Sequence, residues 1–403
     1  MNNTSEKLFN KGFLAITFIN FIVYLVYYLL MVIIAVIAQS NLHASLGQAG
    51  LASGIYIIGT LLARLIIGKK LELIGRKATL RYGALFYLIT TIAYLYIPII
   101  PVLYLVRFLN GFGYGALSTA TNTIVTAYIP KARHGEGINY YGLSTSLAAA
   151  IGPFLGMILL NYTNFHFIVG FSIALVFIIT IMCYLFPVKN VKLSKEHIKD
   201  LNKNTFDSFI EKKALFIAFM AFLMGLSYSS VLAFLSSYVK VIHLVEVSSL
   251  FFVVYALAIT FTRPLSGKIF DNFGEKFVMY PSYIFLSLGL ILLSMTTSSW
   301  LLLVSGGIIG LGYGTFMSNG QAISLKTVTN ERRISIALST YFIGLDLGLG
   351  VGPYALGELR IFLSFTNIYL VASILPIICM VLYKFSTSKK YKRSKSASMK
   401  LAN

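Results

Sequence analysis

Twelve long apolar stretches dominate this sequence and restrict the structures that it can adopt. Each is about as long as the roughly 20 residues that an α-helix needs to cross a membrane. Strands of a membrane barrel would instead appear as segments of about ten residues with alternating hydrophobicity. The stretches lie near residues 13–38, 46–68, 79–98, 102–127, 138–160, 165–187, 214–239, 247–267, 277–296, 299–325, 334–357 and 361–383. The sequence therefore predicts an all-α membrane protein with twelve transmembrane helices.

The composition supports a lipid environment. Of the 403 residues, 57% are hydrophobic and 11% are charged, whereas soluble domains carry about 25% charged residues. So few charged residues could not cover the surface of a water-soluble domain of this size. The lipid bilayer is therefore an expected partner of most of the chain.

The basic charge follows the predicted topology. The net charge is +20, and if both termini are cytoplasmic, all but Arg107, Lys240 and Arg360 of the lysines and arginines lie at the cytoplasmic side. Such a bias sets the orientation of membrane proteins. We therefore expect a multi-pass protein of the cytoplasmic membrane with both termini in the cytoplasm, and no nucleic-acid partner.

The chain is duplicated. Adding 199 to residue numbers of the first half gives like residues in the second, so that Arg64 corresponds to Arg263 and "GFGYG" at 111–115 to "GLGYG" at 310–314. An even number of helices in each half makes the repeats parallel. We predict bundles of six helices at 13–187 and 214–383, a cytoplasmic linker at 188–213, a cytoplasmic N-terminus at 1–12 and a basic tail at 384–403.

A motif follows the second helix and recurs after the eighth. It reads "GKKLELIGRK" at 68–77 and "GKIFDNFGEK" at 267–276. This resembles the G-x-x-x-D-R-x-G-R-K signature of the major facilitator superfamily. The resemblance implies two six-helix bundles related by a pseudo-two-fold axis, which move against each other to expose a central site to either side.

The resemblance also implies that the doubled motif forms a cytoplasmic gate, with Glu72 against the start of helix 11. Arg332 and Arg333 are candidate partners there; positively charged cytoplasmic loops are the alternative reading. The gate residues are Arg64, Gly68, Glu72, Gly75, Arg76, Lys77, Arg263, Gly267, Asp271, Gly274 and Lys276.

Helix 5 carries Gly152, Pro153 and Gly156, and helix 11 carries Gly352 and Pro353. Proline bends a helix, and small neighbours allow close helix crossings. The helix 5 residues resemble the G-x-x-x-G-P-x-x-G-G motif of the antiporter branches of the superfamily, which implies drug:proton exchange. A tolerated kink without a functional role is the alternative.

Two of the charged residues inside the predicted helices are candidates for proton coupling. An ionised side chain at a helix centre costs about 2.5–3.5 kcal/mol on insertion scales, so Arg107 is expected to face a cavity or a partner unless it extends to the outer surface. Asp346 is the only carboxylate at mid-helix. We therefore predict Asp346 and Arg107 as the proton-coupling residues; a structural Asp346 is the alternative.

The superfamily fold implies that helices 1, 4, 7 and 10 line a central cavity. A few polar groups in apolar walls suit a small amphipathic ligand. The candidate cavity residues are Asn20, Tyr24, Tyr27, Asn110, Tyr114, Tyr228, Tyr313 and Asn319.

Together these features predict a monomeric transporter, not an enzyme, whose partners are a small-molecule substrate and protons. The favoured function is proton-coupled efflux of a drug-like or siderophore-like compound. A proton-coupled importer or facilitator of sugars or organic acids is one alternative, and a membrane sensor or lipid-modifying enzyme another. The sequence has no phosphate-binding loop for ATP and no metal-ligand spacing, so no cofactor is expected and the proton gradient is the expected energy source.

Overall fold

The computed structural model describes residues 7–44, 46–188, 190–191, 206–244, 247–328, 330–359 and 362–401. These residues form helices joined by short turns, with no strand among them. Most of the predicted linker, residues 192–205, and the first six residues of the predicted N-terminus lie outside the described residues.

Within the described ranges, twelve long helices form the fold, as the sequence predicts. Those of the first half are α1 (Lys11–Leu42), α2 (Leu46–Ile74), α3 (Arg76–Ile92), α4 (Ile100–Val125), α5 (His134–Tyr162) and α6 (Phe165–Leu185). Those of the second half are α7 (Leu215–Val241), α8 (Ser248–Phe273), α9 (Lys276–Ser294), α10 (Ser299–Lys326), α11 (Ile334–Leu359) and α12 (Phe365–Leu401). Within the described residues, ten helices are long and apolar enough to cross a membrane; α2 and α3, the remaining two, pack among them.

Several helices extend beyond their predicted ends. The α2 helix continues from residue 68 to Ile74, and α8 continues from 267 to Phe273. The α12 helix runs to Leu401, through most of the predicted tail. Hydropathy locates the apolar part of a helix, but charged residues such as Lys69 and Lys70 can continue the helix beyond it.

A π-helical turn, Gly310–Gly314, interrupts α10 between Ser299–Ile309 and Thr315–Lys326. Its counterpart in the first half, residues 111–115, lies within the regular α4 helix. The two glycine-rich segments therefore differ in backbone geometry despite their shared spacing.

Glycine contacts show that the duplication is structural. Glycines of α4 and α10 face the neighbouring helices at positions that are themselves 199 residues apart. The pairs are Gly111 with Tyr56 and Gly310 with Tyr255, Gly113 with Tyr87 and Gly312 with Leu286, and Gly115 with Thr60 and Gly314 with Ile259. A β-carbon at any of these glycines would press on the facing helix, so both halves use the same close packing.

One end of the bundle brings together the start of α1, the end of α4 and the end of α6. The side-chain amide of Asn10 donates to the carbonyl of Tyr128 at 2.9 Å, and the Tyr128 hydroxyl donates to the carbonyl of Pro187 at 2.6 Å. The segment that joins the two halves leaves from this end. We call this end of the bundle the linker side and the opposite end the loop side.

Candidate functional site

A buried ion pair between Arg64 and Asp346 connects the two halves. Nε of Arg64 on α2 donates to Oδ2 of Asp346 on α11 at 2.6 Å. The Arg64 side chain is 1% exposed and that of Asp346 is 18% exposed. The ring of Phe342, one turn before Asp346, lies 4.7 Å from the guanidinium carbon. Arg64 lies ten residues before the end of α2, or about 15 Å along the helix, so the ion pair is well inside the helix rather than at its end.

Arg107 is completely buried within the first half and does not extend to the surface. Nε donates to the carbonyl of Ala52 at 2.9 Å, Nη1 to the hydroxyl of Tyr94 at 3.4 Å and Nη2 to the sulfur of Met31 at 3.3 Å. The guanidinium also lies 4.3 Å from the centre of the Tyr56 ring. These neutral groups satisfy the cation through hydrogen bonds and a cation–π contact.

Arg107 and Asp346, the two predicted proton-coupling residues, therefore do not contact each other. The carboxylate faces Arg64, one of the predicted gate residues. The packing of α2 and α4 against their neighbours decides which arginine reaches Asp346, and the periodicity of a single sequence does not report that packing. The signal that was available is the position of Arg64 inside an apolar run.

Two predicted cavity residues face neighbours within the first half. The Asn110 amide donates to Thr90 and Thr91 of α3 at 3.0 and 3.1 Å. The Asn20 amide donates to Ser144 of α5 at 2.9 Å. Because both amides are used in packing within one bundle, neither lies at the surface between the two halves.

Tyrosines form a cluster in each half. In the first half, Tyr27 stacks on Tyr114 with ring centres 4.7 Å apart, and Tyr24 meets Tyr114 edge to face at 5.3 Å. In the second half, Tyr228 stacks on Tyr313 at 4.0 Å.

Each tyrosine cluster has a further member that is not among the predicted cavity residues. Tyr56 stacks on Tyr27 at 5.2 Å, and Tyr255 stacks on Tyr228 at 5.5 Å. These two tyrosines are themselves 199 residues apart. The repeat spacing was therefore a signal that could have found them.

Polar side chains cross between the halves toward the linker side. Gln321 donates to Asn122 at 3.1 Å, and these two residues are 199 apart, so equivalent positions of the two repeats meet. Asn319 accepts from Asn139 of α5 at 3.1 Å, and Asn139 accepts from Ser266 of α8 at 3.0 Å. Of the predicted cavity residues, Asn319 thus lies between the bundles.

The first copy of the doubled motif meets the start of α11. The Ser335 hydroxyl donates to the carbonyl of Gly68 at 2.8 Å. Glu72 pairs with Arg76 of its own motif at 2.8 Å, and Nη2 of Arg76 approaches the carbonyl of Glu331 at 3.5 Å. Glu72 therefore reaches the start of α11 through Arg76.

Arg333, a candidate partner of Glu72, forms an ion pair with Glu211 instead. Glu211 lies just before α7, so the pair connects the end of the linker to the start of α11.

The second copy meets the start of α5. Asp271 accepts from the backbone N–H groups of Gly135 and Glu136 at 2.9 and 2.8 Å, as an acid facing a helix N-terminus should. A β-carbon on Gly267 would lie 2.7 Å from the α-carbon of Glu136. Each copy therefore contacts the start of a helix of the other half at the linker side, the first through Arg76 and Gly68 and the second through Asp271 and Gly267.

Gly75 and Gly274 supply the turns that end α2 and α8. Both have φ of +95°, which favours glycine because it has no β-carbon. The next helices begin at once, at Arg76 and Lys276, and the backbone N–H of Lys77 donates to the Asn190 side chain at 3.0 Å. The doubled motif therefore turns tightly at the same position in each half.

The proline motifs lie at close helix crossings. Pro153 and Pro353 lie inside α5 and α11. A β-carbon on Gly156 would lie 2.9 Å from the Leu29 carbonyl of α1, and one on Gly352 would contact Ser229 of α7. Gly152 faces the same part of α1 as Gly156. The expected close crossing is present, and the antiporter role of these residues stays a prediction.

Arg263 differs from the other buried arginines. It is 1% exposed on α8, and its Nε and Nη1 atoms make no hydrogen bond. By the repeat spacing it is the counterpart of Arg64, yet among the described residues no carboxylate pairs with it as Asp346 pairs with Arg64.

Similar proteins agree with this architecture. A model of the Major Facilitator Superfamily matches residues 16–276 and 245–402. An uncharacterized MFS-type transporter of Methanocaldococcus jannaschii is 23% identical over 85% of this chain and 89% of its own length. The multidrug resistance protein MdtG of Proteus mirabilis is 26% identical, but the match covers only 45% of this chain and 46% of that protein. The crystal structure of the human organic anion transporter MFSD10 (TETRAN) has a TM-score of 0.72 and 13% identity over 92% of this chain and 98% of that one.

Proposed function

This chain belongs to the Major Facilitator Superfamily, a family of transporters and not of enzymes, and we propose that it exports a small amphipathic organic compound in exchange for protons. The observation that carries the proposal is the ion pair between Arg64 of one bundle and Asp346 of the other. A proton on Asp346 removes the charge that attracts Arg64. Proton binding then favours the arrangement of the bundles in which the pair is separated.

The aromatic surroundings support an amphipathic substrate. Tyr27 and Tyr114 in one half and Tyr228 and Tyr313 in the other provide broad apolar faces, each with a hydroxyl at the edge. Such side chains bind flat organic molecules and orient them through a few polar groups. The partial match to a multidrug resistance protein supports export of this class of compound.

The positive-inside bias supports an orientation with the linker side in the cytoplasm. The protein then spans the cell membrane with both termini in the cytoplasm, and the doubled motif becomes a cytoplasmic gate. In this proposal the protein acts as a monomer and uses the proton gradient rather than ATP.

Transport by purified protein in liposomes tests the proposal. With a library of fluorescent amphiphiles and an imposed pH gradient, we expect a compound to accumulate on the acidic side. Asp346→Asn should reduce gradient-driven accumulation at least tenfold, because the residue can no longer bind and release a proton. Glu358→Gln is the matched control, since Glu358 is an exposed carboxylate on the same helix.

Equal gradient-driven accumulation by Asp346→Asn and the wild type would contradict proton coupling through this pair. Accumulation on the basic side would contradict exchange and favour import.

A further inference from the structure

Arg263 occupies in the second half the place that Arg64 occupies in the first. Each lies ten residues before the end of its helix, and each is 1% exposed. The spacing of 200 residues that relates α5 to α11 places Ser146 at the position equivalent to Asp346. The second half therefore has the buried guanidinium without the carboxylate.

Arg263 lies beside a second buried polar group that has no partner. The hydroxyl of Ser318 on α10 is 2% exposed and makes no hydrogen bond, like Nε and Nη1 of Arg263. Both groups surround Gly142 of α5, where an added β-carbon would touch Nη1 and would lie 2.6 Å from the Ser318 oxygen. Two donors of the second half that lack hydrogen-bond partners therefore lie beside Gly142 of the first half, which has no side chain.

Loose packing of the region does not explain these groups. Toward the linker side, the adjacent residues Asn139, Ser266 and Asn319 of the same three helices are connected by hydrogen bonds of 3.0 to 3.4 Å. The structure therefore satisfies adjacent polar side chains and leaves Arg263 and Ser318 unsatisfied.

A buried charge without a partner is unfavourable, and buried polar groups in native proteins are nearly always hydrogen-bonded. The fork of donors in a guanidinium matches the two oxygens of a carboxylate. The Tyr313 hydroxyl, on the same helix as Ser318, also lacks a hydrogen-bond partner. Arg263, Ser318 and Tyr313 are therefore unsatisfied donors on α8 and α10, and no anion lies beside Arg263 among the described residues.

We propose that Arg263 binds the carboxylate of a small organic anion between α5, α8 and α10, with Ser318 and Tyr313 as further donors. This inference rests on the proposed export function and narrows it, because it makes the transported compound an organic acid in its anionic form. The bound carboxylate supplies in the second half the charge that Asp346 supplies in the first.

Thermal unfolding of the purified full chain tests the site. The probes are aromatic carboxylates, each paired with its neutral amide, beginning with 1-naphthoate and 1-naphthamide; chloride and inorganic phosphate are added separately. We expect carboxylates to raise the Tm of the wild type and the amides to leave it unchanged. Arg263→Met should need at least tenfold more carboxylate for the same shift, whereas Lys268→Gln, which removes an exposed cation of the same helix, should bind as the wild type does.

Ligand-free protein provides a second measurement. Because Arg263→Met removes an unpaired buried charge, its Tm without ligand should equal or exceed that of the wild type. A structural role for Arg263 predicts the opposite, a lower Tm, and that result would overturn the inference. Equal shifts by acid and amide, unchanged carboxylate binding by Arg263→Met, or an equal shift by chloride or phosphate would overturn it as well.

Transport separates this inference from the proposed function. If carboxylates bind through Arg263 but no compound moves with a pH gradient, proton-coupled export is wrong and the anion site stands. If neutral or cationic compounds move with the gradient in Arg263→Met as in the wild type, and no carboxylate binds, the anion site is wrong and export stands.

Discussion

At the scale of single residues, Arg64 and Asp346 stabilise each other's charge inside the bundle. Both lie at mid-depth in the bundle, where an isolated charge is poorly solvated. Removing one member leaves the other buried without compensation, whereas replacing both by apolar side chains avoids that cost. The pair is therefore suited to a switch, because protonation of one member has a large effect on the other.

A double-mutant cycle tests this dependence. Arg64→Met should destabilise the protein by roughly 3–5 kcal/mol, because Asp346 loses its cation, and adding Asp346→Leu should recover most of that loss. The free energy of unfolding in detergent at neutral pH is the measurement. The penalty of Arg64→Met alone should shrink as the pH falls, since a proton can neutralise the carboxylate. Additive effects of the two substitutions would show that the pair contributes little.

The sequence singles out Asp346 among the carboxylates but does not identify its partner. Asp346 is found because acids are rare inside the apolar runs, whereas three arginines occupy comparable positions. The choice of Arg64 over Arg107 arises because Arg107 is held by Ala52 of α2 and by Tyr94, which lies just after α3. Contacts between helices decide that choice, and hydrophobic periodicity does not report them.

At the scale of helices, glycines set how closely neighbours approach. A β-carbon at Gly111 of α4 would lie 2.9 Å from the carbonyl carbon of Tyr56 on α2, which real β-carbons essentially never do. Gly170 of α6 has nothing within 4 Å of the same position. The repeated glycine spacing in the sequence agrees with the close approach of α4 to α2. The presence of a glycine alone, however, does not distinguish a position with a packed neighbour from one in open space.

Alanine substitutions at these two glycines should have opposite effects. Gly111→Ala should lower stability by about 1–3 kcal/mol, because α2 must move away from α4. Gly170→Ala should be neutral or stabilising by up to about 1 kcal/mol, because alanine favours helix over glycine. Unfolding in detergent measures both changes. A loss at Gly170 as large as that at Gly111 would mean that side-chain volume at the helix contact is not the cause.

At the scale of the whole molecule, the duplication predicts the fold because each half repeats the same contacts. The spacing of 199 residues in the sequence becomes a hydrogen bond between Asn122 and Gln321, which are equivalent in the two repeats. Equivalent residues can meet only near the axis that relates the halves. What the repeat does not predict is where the halves differ, as at the π-helical turn of α10 and at Arg263, since such differences arise after duplication.

Alternating access requires the contact between Asn122 and Gln321 to open, and cross-linking tests whether it does. Cysteines at both positions, with Cys183 and Cys379 replaced by alanine, should react with a short bis-methanethiosulfonate only when the bundles separate at the linker side, because both side chains are buried in the closed form. The linked protein should lose transport in liposomes, and reduction should restore it. Single-cysteine variants treated in the same way should keep transporting, which excludes damage by the reagent. If neither thiol reacts during turnover, or if the linked protein transports at the original rate, the two bundles do not move apart at this contact and the alternating-access mechanism proposed for this chain fails.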